Sequence, residues 1–272
     1  AGGTFIDTSN IYACWIPGFV GGESETTIGQ WMHERQSRAR VFVGTKVGFA
    51  YPGATGGLRA NEIARECDKS LKRLRIDTID LYYAHCDDRQ TPLEEILEAF
   101  DQLVQAGKVR FIGASNWMAW RLATAHMISQ VNGWAMHAAV EQRYTYLRPK
   151  PGAGFESQVC TNDDLLDYCR ATELTFLAYS ILLSGAYTRP ERPLPTQYVG
   201  PDSETRSAVL RAVAQETRAT LNQVIIAWML HSTPQVLPII GGSTLEQLSE
   251  NISASEIELT PEQMMRLNQA GA

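Results

Sequence analysis

The sequence lacks the features that mark several whole classes of protein. No apolar run reaches the ~18 to 20 residues that cross a bilayer, and the opening AGGTFIDTSN has neither the charged region nor the apolar stretch of an export signal. A membrane is therefore not an expected partner. The five cysteines, Cys14, Cys67, Cys86, Cys160 and Cys169, are odd in number and contain no C-x-x-C, so no disulfide framework is implied and reduced thiols in the cytoplasm are expected. There is no basic cluster: 24 Lys and Arg stand against 30 Asp and Glu, a net charge of -6, which argues against a nucleic-acid partner. Neither G-x-G-x-x-G nor a P-loop occurs, so the phosphate-binding turn of an open doubly wound sheet is missing. The run His85-Cys86-Asp87-Asp88 makes a poor metal site, because successive residues leaving a strand point to alternate sides.

What is present is a regular alternation. Short apolar, β-rich runs are each followed by a helical stretch: 4–8 then 23–34, 41–47 then 61–74, 78–85 then 92–106, 109–115 then 120–129, 138–144 then 163–171, 175–182 then 203–229, and 236–240 then 245–253. One helical stretch carries Ile63, Cys67, Leu71 and Leu74 at helical spacing, and the strands are apolar on both faces, as parallel strands covered by helices must be. Seven strand–helix units in 272 residues, with no nucleotide-binding turn, predict one α/β domain over 1–272, a (β/α)8 TIM barrel of the usual ~250 residues. A closed barrel needs eight units. The expectation is therefore a barrel with one unit absent from this chain, with exposed strand edges on either side of the gap.

Barrels of this kind carry chemistry on the loops that follow the strands, and the long irregular segments 10–22, 49–59, 147–161 and 183–202 fall in those positions. Four polar residues stand at the C-terminal ends of three successive strands: Asp7 and Tyr12, Lys46, and His85. A carbonyl oxygen that receives a hydride needs a proton donor, and a tyrosine of ordinary pKa ~10 must be acidified to serve near neutrality. An ammonium at Lys46 favours the phenolate of Tyr12, Asp7 holds the lysine, and His85 donates to the substrate oxygen. Taken singly, Asp7 reads as a cap acid, Lys46 as a surface lysine, Tyr12 as a packed aromatic and His85 as a core histidine; only their joint occurrence favours chemistry. Trp15, Phe49, Tyr51 and Trp117, with Tyr144, either line an aryl-binding substrate pocket or pack as loop aromatics. Cys14 and Cys86, near the same loops, read as inert thiols.

The segments Phe5-Ile-Asp-Thr-Ser-Asn-Ile-Tyr12, Gly44-Thr-Lys-Val-Gly48, Asp80-Leu-Tyr-Tyr-Ala-His85, G-K-V-R-F-I-G-A-S-N ending at Asn116, Ala178-Tyr-Ser180 and I-G-G-S-T-L-E-Q-L-S-E-N ending at Asn251 resemble, in order, the motifs of aldo-keto reductases. The wording of the last is closest to the branch that includes potassium-channel β-subunits. The resemblance implies NADPH-dependent reduction of a small aldehyde or ketone, with Tyr12, Asp7, Lys46 and His85 as catalytic tetrad. It also implies that Ser115, Asn116 and Gln142 hold the nicotinamide carboxamide, and that Tyr179, beside Ser180, stacks on its ring. Gly242, Ser243, Gln247, Glu250 and Asn251 would take the pyrophosphate, 2′-phosphate and adenine. The alternative for Ser115 and Asn116 is that they cap the next helix. The same resemblance places the absent unit at the N-terminus.

Two departures qualify the carry-over. The last motif has no Lys or Arg between Gly241 and Asn251, so the preference for NADPH over NADH comes from the resemblance, and Arg189 and Arg192 on the 183–202 loop are the cations that would supply the missing charge. Ile181 stands where the family commonly has proline. A slow-turnover, cofactor-binding regulatory or redox-sensing subunit is the alternative function, since the tetrad serves both. The sequence gives no oligomeric state.

Overall fold

The computed structural model describes residues 2–271, which form two compact units, Gly2–Val140 and the part from Glu141 onward. The first alternates strictly: β1 (Phe5–Asp7), α1 (Glu23–Glu34), β2 (Phe42–Val47), α2 (Ala60–Leu74), β3 (Ile79–Ala84), α3 (Leu93–Gln105), β4 (Val109–Ser115), α4 (Ala119–Asn132) and the start of β5 (His137–Arg143). β1, β2, β3 and β4 pair in that order and in parallel, with Asp7 opposite Gly44, Lys46 opposite Tyr83, and Tyr83 opposite Gly113. All six residues of β3 are buried, which is why that run is apolar on both faces apart from Asp80 rather than alternating. The α2 helix buries Ile63, Cys67 and Leu74 on one stripe and ends at Arg75 in the left-handed region.

Room for the Tyr83 ring comes from glycine. A Cβ at Gly113 would lie 2.6 Å from the Tyr83 ring and one at Gly44 3.3 Å from it, so any larger residue at Gly113 would push the ring out. At the opposite end of the strands Asp80 is buried, accepting from Arg38 at 2.8 Å, Arg110 at 3.0 Å and the Val43 N–H at 2.9 Å. Burial alone would raise its carboxyl pKa, but the two guanidiniums and the amide more than offset this and hold it below the usual value.

The second unit contains α5 (Asp163–Thr172), β6 (Thr175–Tyr179), α6 (Pro201–Thr217), α7 (Leu221–Leu230), β7 (Val236–Pro238), α8 (Leu245–Ser253) and α9 (Pro261–Gln269). β6 and β7 pair in parallel, Phe176 opposite Val236. The helix expected over 203–229 is two helices: Arg218 enters the left-handed region at φ 55°, and Thr220 starts α7 with a capping box to Gln223. α9 lies beyond the seven expected units; Thr260, Pro261 and Gln263 form its capping box and first turn. The 183–202 loop holds two short 3-10 turns, Leu183–Gly185 and Thr196–Tyr198. Among the described residues no helix is long and apolar enough to cross a membrane.

Candidate functional site

Parallel register brings Asp7, Tyr12, Lys46 and His85 to one end of β1, β2 and β3. The Thr8 N–H donates to the Gly44 carbonyl at 2.9 Å, carrying β1 one step past Asp7, and a turn from Ser9 to the Tyr12 N–H at 3.2 Å then folds the tyrosine back. The His85 N–H donates to the Val47 carbonyl at 2.7 Å, one residue beyond Lys46. Lys46 is fully buried, and its Nζ donates to Asp7 Oδ2 at 2.5 Å, the Tyr12 hydroxyl at 2.9 Å and the Thr8 carbonyl at 3.1 Å. The Tyr12 hydroxyl also reaches Asp7 Oδ2 at 3.3 Å. One ammonium thus bridges a carboxylate and a phenol in a water-poor place, where its charge acts at full strength.

His85 stands 6.0 Å from the Tyr12 ring, edge to face, with Phe49 at 4.7 Å on another side. Burial, and then the Lys46 charge, drive its pKa well below the ordinary value, so the ring is neutral near pH 7. Its Nδ1 lies 3.1 Å from the Ser9 hydroxyl. When Ser9 donates, the proton sits on Nε2, leaving one donor for a ligand. Sequence reasoning passed over Ser9, because its partner lies 76 positions away and no local pattern joins them.

The pocket aromatics divide. Trp15 is 67 % exposed and 6.2 Å from the Tyr12 ring, and Phe49 touches His85 with part of its surface open. Tyr51 is buried instead, its hydroxyl donating to Glu66 at 2.7 Å and accepting from Arg73 at 2.9 Å. Trp117 is wholly buried, with its indole N–H on the Cys86 carbonyl at 2.9 Å and its ring against His137. Neither presents a face to a ligand. Burial, then Asp88 and Asp87, push the Cys86 thiol up to about 12, an unreactive state.

Ser115 and Asn116 close β4. Asn116 adopts φ 63°, and its Nδ2 donates to the His85 carbonyl at 3.0 Å and to Ser115 Oγ at 3.1 Å. The N-cap of α4 is Met118, with no side-chain bond, so the capping alternative for Ser115 and Asn116 does not hold.

In the second unit a cavity of about 470 Å³ gathers Ser180, Gly242, Ser243, Gln247, Glu250 and Asn251, together with Arg189 and Arg192. Thr244 caps α8, the Ser243 N–H donates to Gln247 Oε1 at 2.9 Å, and Asn251 Nδ2 donates to the Gly241 carbonyl at 3.2 Å, which curls the G-G-S-T turn over the helix start. A Cβ at Gly242 would meet Leu248 at 3.1 Å, so the turn packs closely there. Arg192 donates to the Ser184 carbonyl at 2.8 Å, while the Arg189 guanidinium has no hydrogen-bond or ion-pair partner among the described residues. A helix start, a neutral hydrogen-bonding turn and a free cation make a cradle that fits a phosphate-bearing nucleotide. Gln142 is buried on β5, and Tyr179 ends β6 half-buried beside Ser180, which adopts φ 57° and accepts from Arg143 at 3.3 Å. Asn222 and Thr188 line the same cavity and carry no sequence signal of their own.

A family model described as the aldo/keto reductase family matches residues 1–272. An aryl-alcohol dehydrogenase of Pestalotiopsis microspora is 29 % identical over 279 residues, covering 98 % of this chain and 68 % of its own length. An NADP(+) aldo-keto reductase of Schizosaccharomyces pombe is 30 % identical, covering 99 % of this chain and 78 % of its own. Among solved structures, a thermostable aldo-keto reductase in complex with the inhibitor epalrestat superposes with a TM-score of 0.76 at 29 % identity, over 97 % of this chain and 81 % of that one. The fold is the (β/α)8-barrel class that the strand–helix alternation predicts.

Proposed function

The chain belongs to the aldo/keto reductase family and is an NAD(P)H-dependent oxidoreductase; from that premise we propose that it reduces aldehydes or ketones to alcohols with NADPH, using Tyr12 as proton donor. The observation that carries this reading is the Lys46 ammonium, held by Asp7 at 2.5 Å and set 2.9 Å from the Tyr12 hydroxyl. A bound reduced nicotinamide supplies the hydride that reaches the carbonyl carbon. As the carbonyl π pair moves onto oxygen, Tyr12 releases its proton to that oxygen, and Lys46 stabilises the phenolate left behind. His85, neutral, directs an N–H at the same oxygen and orients the substrate. Solvent returns the proton to Tyr12 after the alcohol leaves.

The nucleotide would be held by Ser243, Gln247, Arg189 and Arg192 at its phosphates and by Glu250 and Asn251 at adenine, with Gly242 allowing close approach. In the first unit Ser115 and Asn116 would take the carboxamide; in the second, Gln142 is the candidate for the same group and Tyr179 and Ser180 for the ring. Arg189 favours NADPH because a free guanidinium gains a charge-assisted bond from a 2′-phosphate and none from a hydroxyl. Trp15 and Phe49, the two aromatics beside the tetrad with open surface, favour an aryl aldehyde as substrate. Stopped-flow oxidation of bound NADPH by a panel of aryl and alkyl aldehydes tests the whole reading. Multiple turnovers, faster with the aryl members, are expected; slow single turnovers with every aldehyde would instead favour a redox-sensing subunit.

A further inference from the structure

The second unit holds another cavity, about 330 Å³, which shares no lining residue with the nucleotide cradle. Its deep wall is Tyr146, Trp228 and Arg206, all buried, with Tyr144 stacked on Trp228 at 5.7 Å and Tyr146 edge-on to it at 5.3 Å. Arg206 is 2 % exposed, yet its guanidinium meets only neutral partners: Nε donates to the Tyr146 carbonyl and Nη1 to the Ala270 carbonyl, each at 2.8 Å. The plane of the cation lies over the Tyr146 ring, 4.2 Å from its centre. Among the described residues no carboxylate forms an ion pair with it. Asp202, one turn earlier on α6, approaches Arg148 at 3.9 Å, and Asp163 sits on the solvent-exposed rim. Burial lowers the Arg206 pKa, outweighing the through-space attraction of Asp202, which is not bonded to it; a buried cation with no bonded counterion is costly.

We propose that this cavity binds a small aromatic carboxylate, whose carboxyl group pairs with Arg206 and whose ring packs against Trp228 and Tyr146. The volume lies at the small end of ligand pockets, which suits a single substituted ring rather than a nucleotide. Among the described residues no atom uses the guanidinium's remaining donors, and its planar fork matches a carboxylate. Arg148 at the rim adds a second positive charge, and the Trp228 indole N–H is already satisfied by Asn268 at 2.7 Å, so the ring offers the ligand an apolar surface.

Calorimetric titration of the full chain with sodium benzoate is expected to show saturable one-to-one binding, with the neutral isostere benzamide at least ~10-fold weaker. Tyr12→Phe should bind benzoate as the wild type does. Leu166→Trp, which adds bulk to the cavity from α5 and leaves the Arg206 side chain in place, should abolish binding while the protein still melts cooperatively. Crystals soaked in 4-bromobenzoate locate the site independently, with the bromine's anomalous signal expected between Trp228 and Arg206. No saturation up to about 10 mM benzoate, equal affinity for benzamide, unchanged binding in Leu166→Trp, loss of binding in Tyr12→Phe, or bromine elsewhere would each overturn the proposal.

Discussion

Replacing Lys46 by methionine separates what the lysine does for stability from what it does for chemistry. The side chain is fully buried and spends its three donors on Asp7, Tyr12 and the Thr8 carbonyl. Without it the Asp7 carboxylate, only 6 % exposed, keeps among the described residues a single hydrogen bond, from Tyr12 at 3.3 Å, and its Oδ1 already has no partner there. Breaking a buried pair on one side costs ~3 to 5 kcal/mol against a total of ~5 to 15, a fall in Tm of roughly 10 °C. Turnover falls for a separate reason. An ammonium 2.9 Å from a developing phenolate is worth roughly 6 kcal/mol at an effective dielectric of about 20, close to four powers of ten in rate. The double variant Lys46→Met/Asp7→Asn removes the stranded carboxylate as well, so it should recover most of the lost Tm and none of the lost turnover. Thermal melts and steady-state rates with an aryl aldehyde on wild type, single and double variants read both quantities. A single variant that melts like the wild type, or a double variant that regains turnover with stability, would refute the reasoning.

Tyr12→Phe keeps the ring and removes the proton, so turnover should drop at least ~100-fold with nucleotide affinity nearly unchanged; near-normal rates would take Tyr12 out of the mechanism. Arg189→Ala should weaken NADPH binding by about 10-fold and spare NADH, read by fluorescence titration, and equal losses for both nucleotides would mean the cation does not meet the 2′-phosphate. Because burial holds the His85 pKa well below 6.5, the pH profile of kcat/KM should show no ionisation near 6.5; a limb there that vanishes in His85→Gln would show the ring titrating. Buried His137 has its pKa lowered from 6.5 to about 3 by burial and then His126, so the unfolded chain takes up a proton that the folded one refuses. Stability is therefore lost as pH falls from 6.5 towards 3, by up to ~1.4 kcal/mol per pH unit, and urea midpoints of His137→Gln should fall less steeply than those of the wild type. Parallel curves would contradict this.

The strand–helix alternation was legible because buried parallel strands and amphipathic helices leave different periods in the sequence, as the all-buried β3 and the Ile63, Cys67, Leu74 stripe of α2 illustrate. The break after α6 was not, since no glycine or proline marks it: an arginine, Arg218, takes the left-handed turn, and the local signal is the Thr220–Gln223 capping box. Asp7, Lys46 and His85 were readable as a group because each sits at or just past a strand end, where parallel register sets direction, and the turn from Ser9 folds Tyr12 back onto them. Tyr51 and Trp117 misled for the opposite reason. On a loop, the side chain goes where a partner waits, and those partners, Glu66 and the Cys86 carbonyl, lie 15 and 31 positions away.

Tyr51 belongs to a chain of buried and half-buried polar groups that ends on the segments carrying Lys46 and Tyr12. Glu25 of α1, fully buried, accepts from Thr45 Oγ1 at 2.6 Å and from Arg73 at 3.0 Å. Arg73 continues to the Tyr51 hydroxyl, Tyr51 to Glu66, and Glu66 accepts from Asn10 Nδ2 at 3.0 Å and from Lys69 at 2.7 Å. Thr45 precedes Lys46 in β2, and Asn10 lies two residues before Tyr12. Two carboxylates balance two cations, and hydrophobic residues of equal volume would stabilise such an interior at least as well. What apolar packing would not supply is direction. Lys46 rides on a strand and Tyr12 on a loop, and a proton donor must keep its distance from its cation to within about half an ångström. A chain of directional bonds from the residue beside one to the loop carrying the other ties the loop residue to the strand residue.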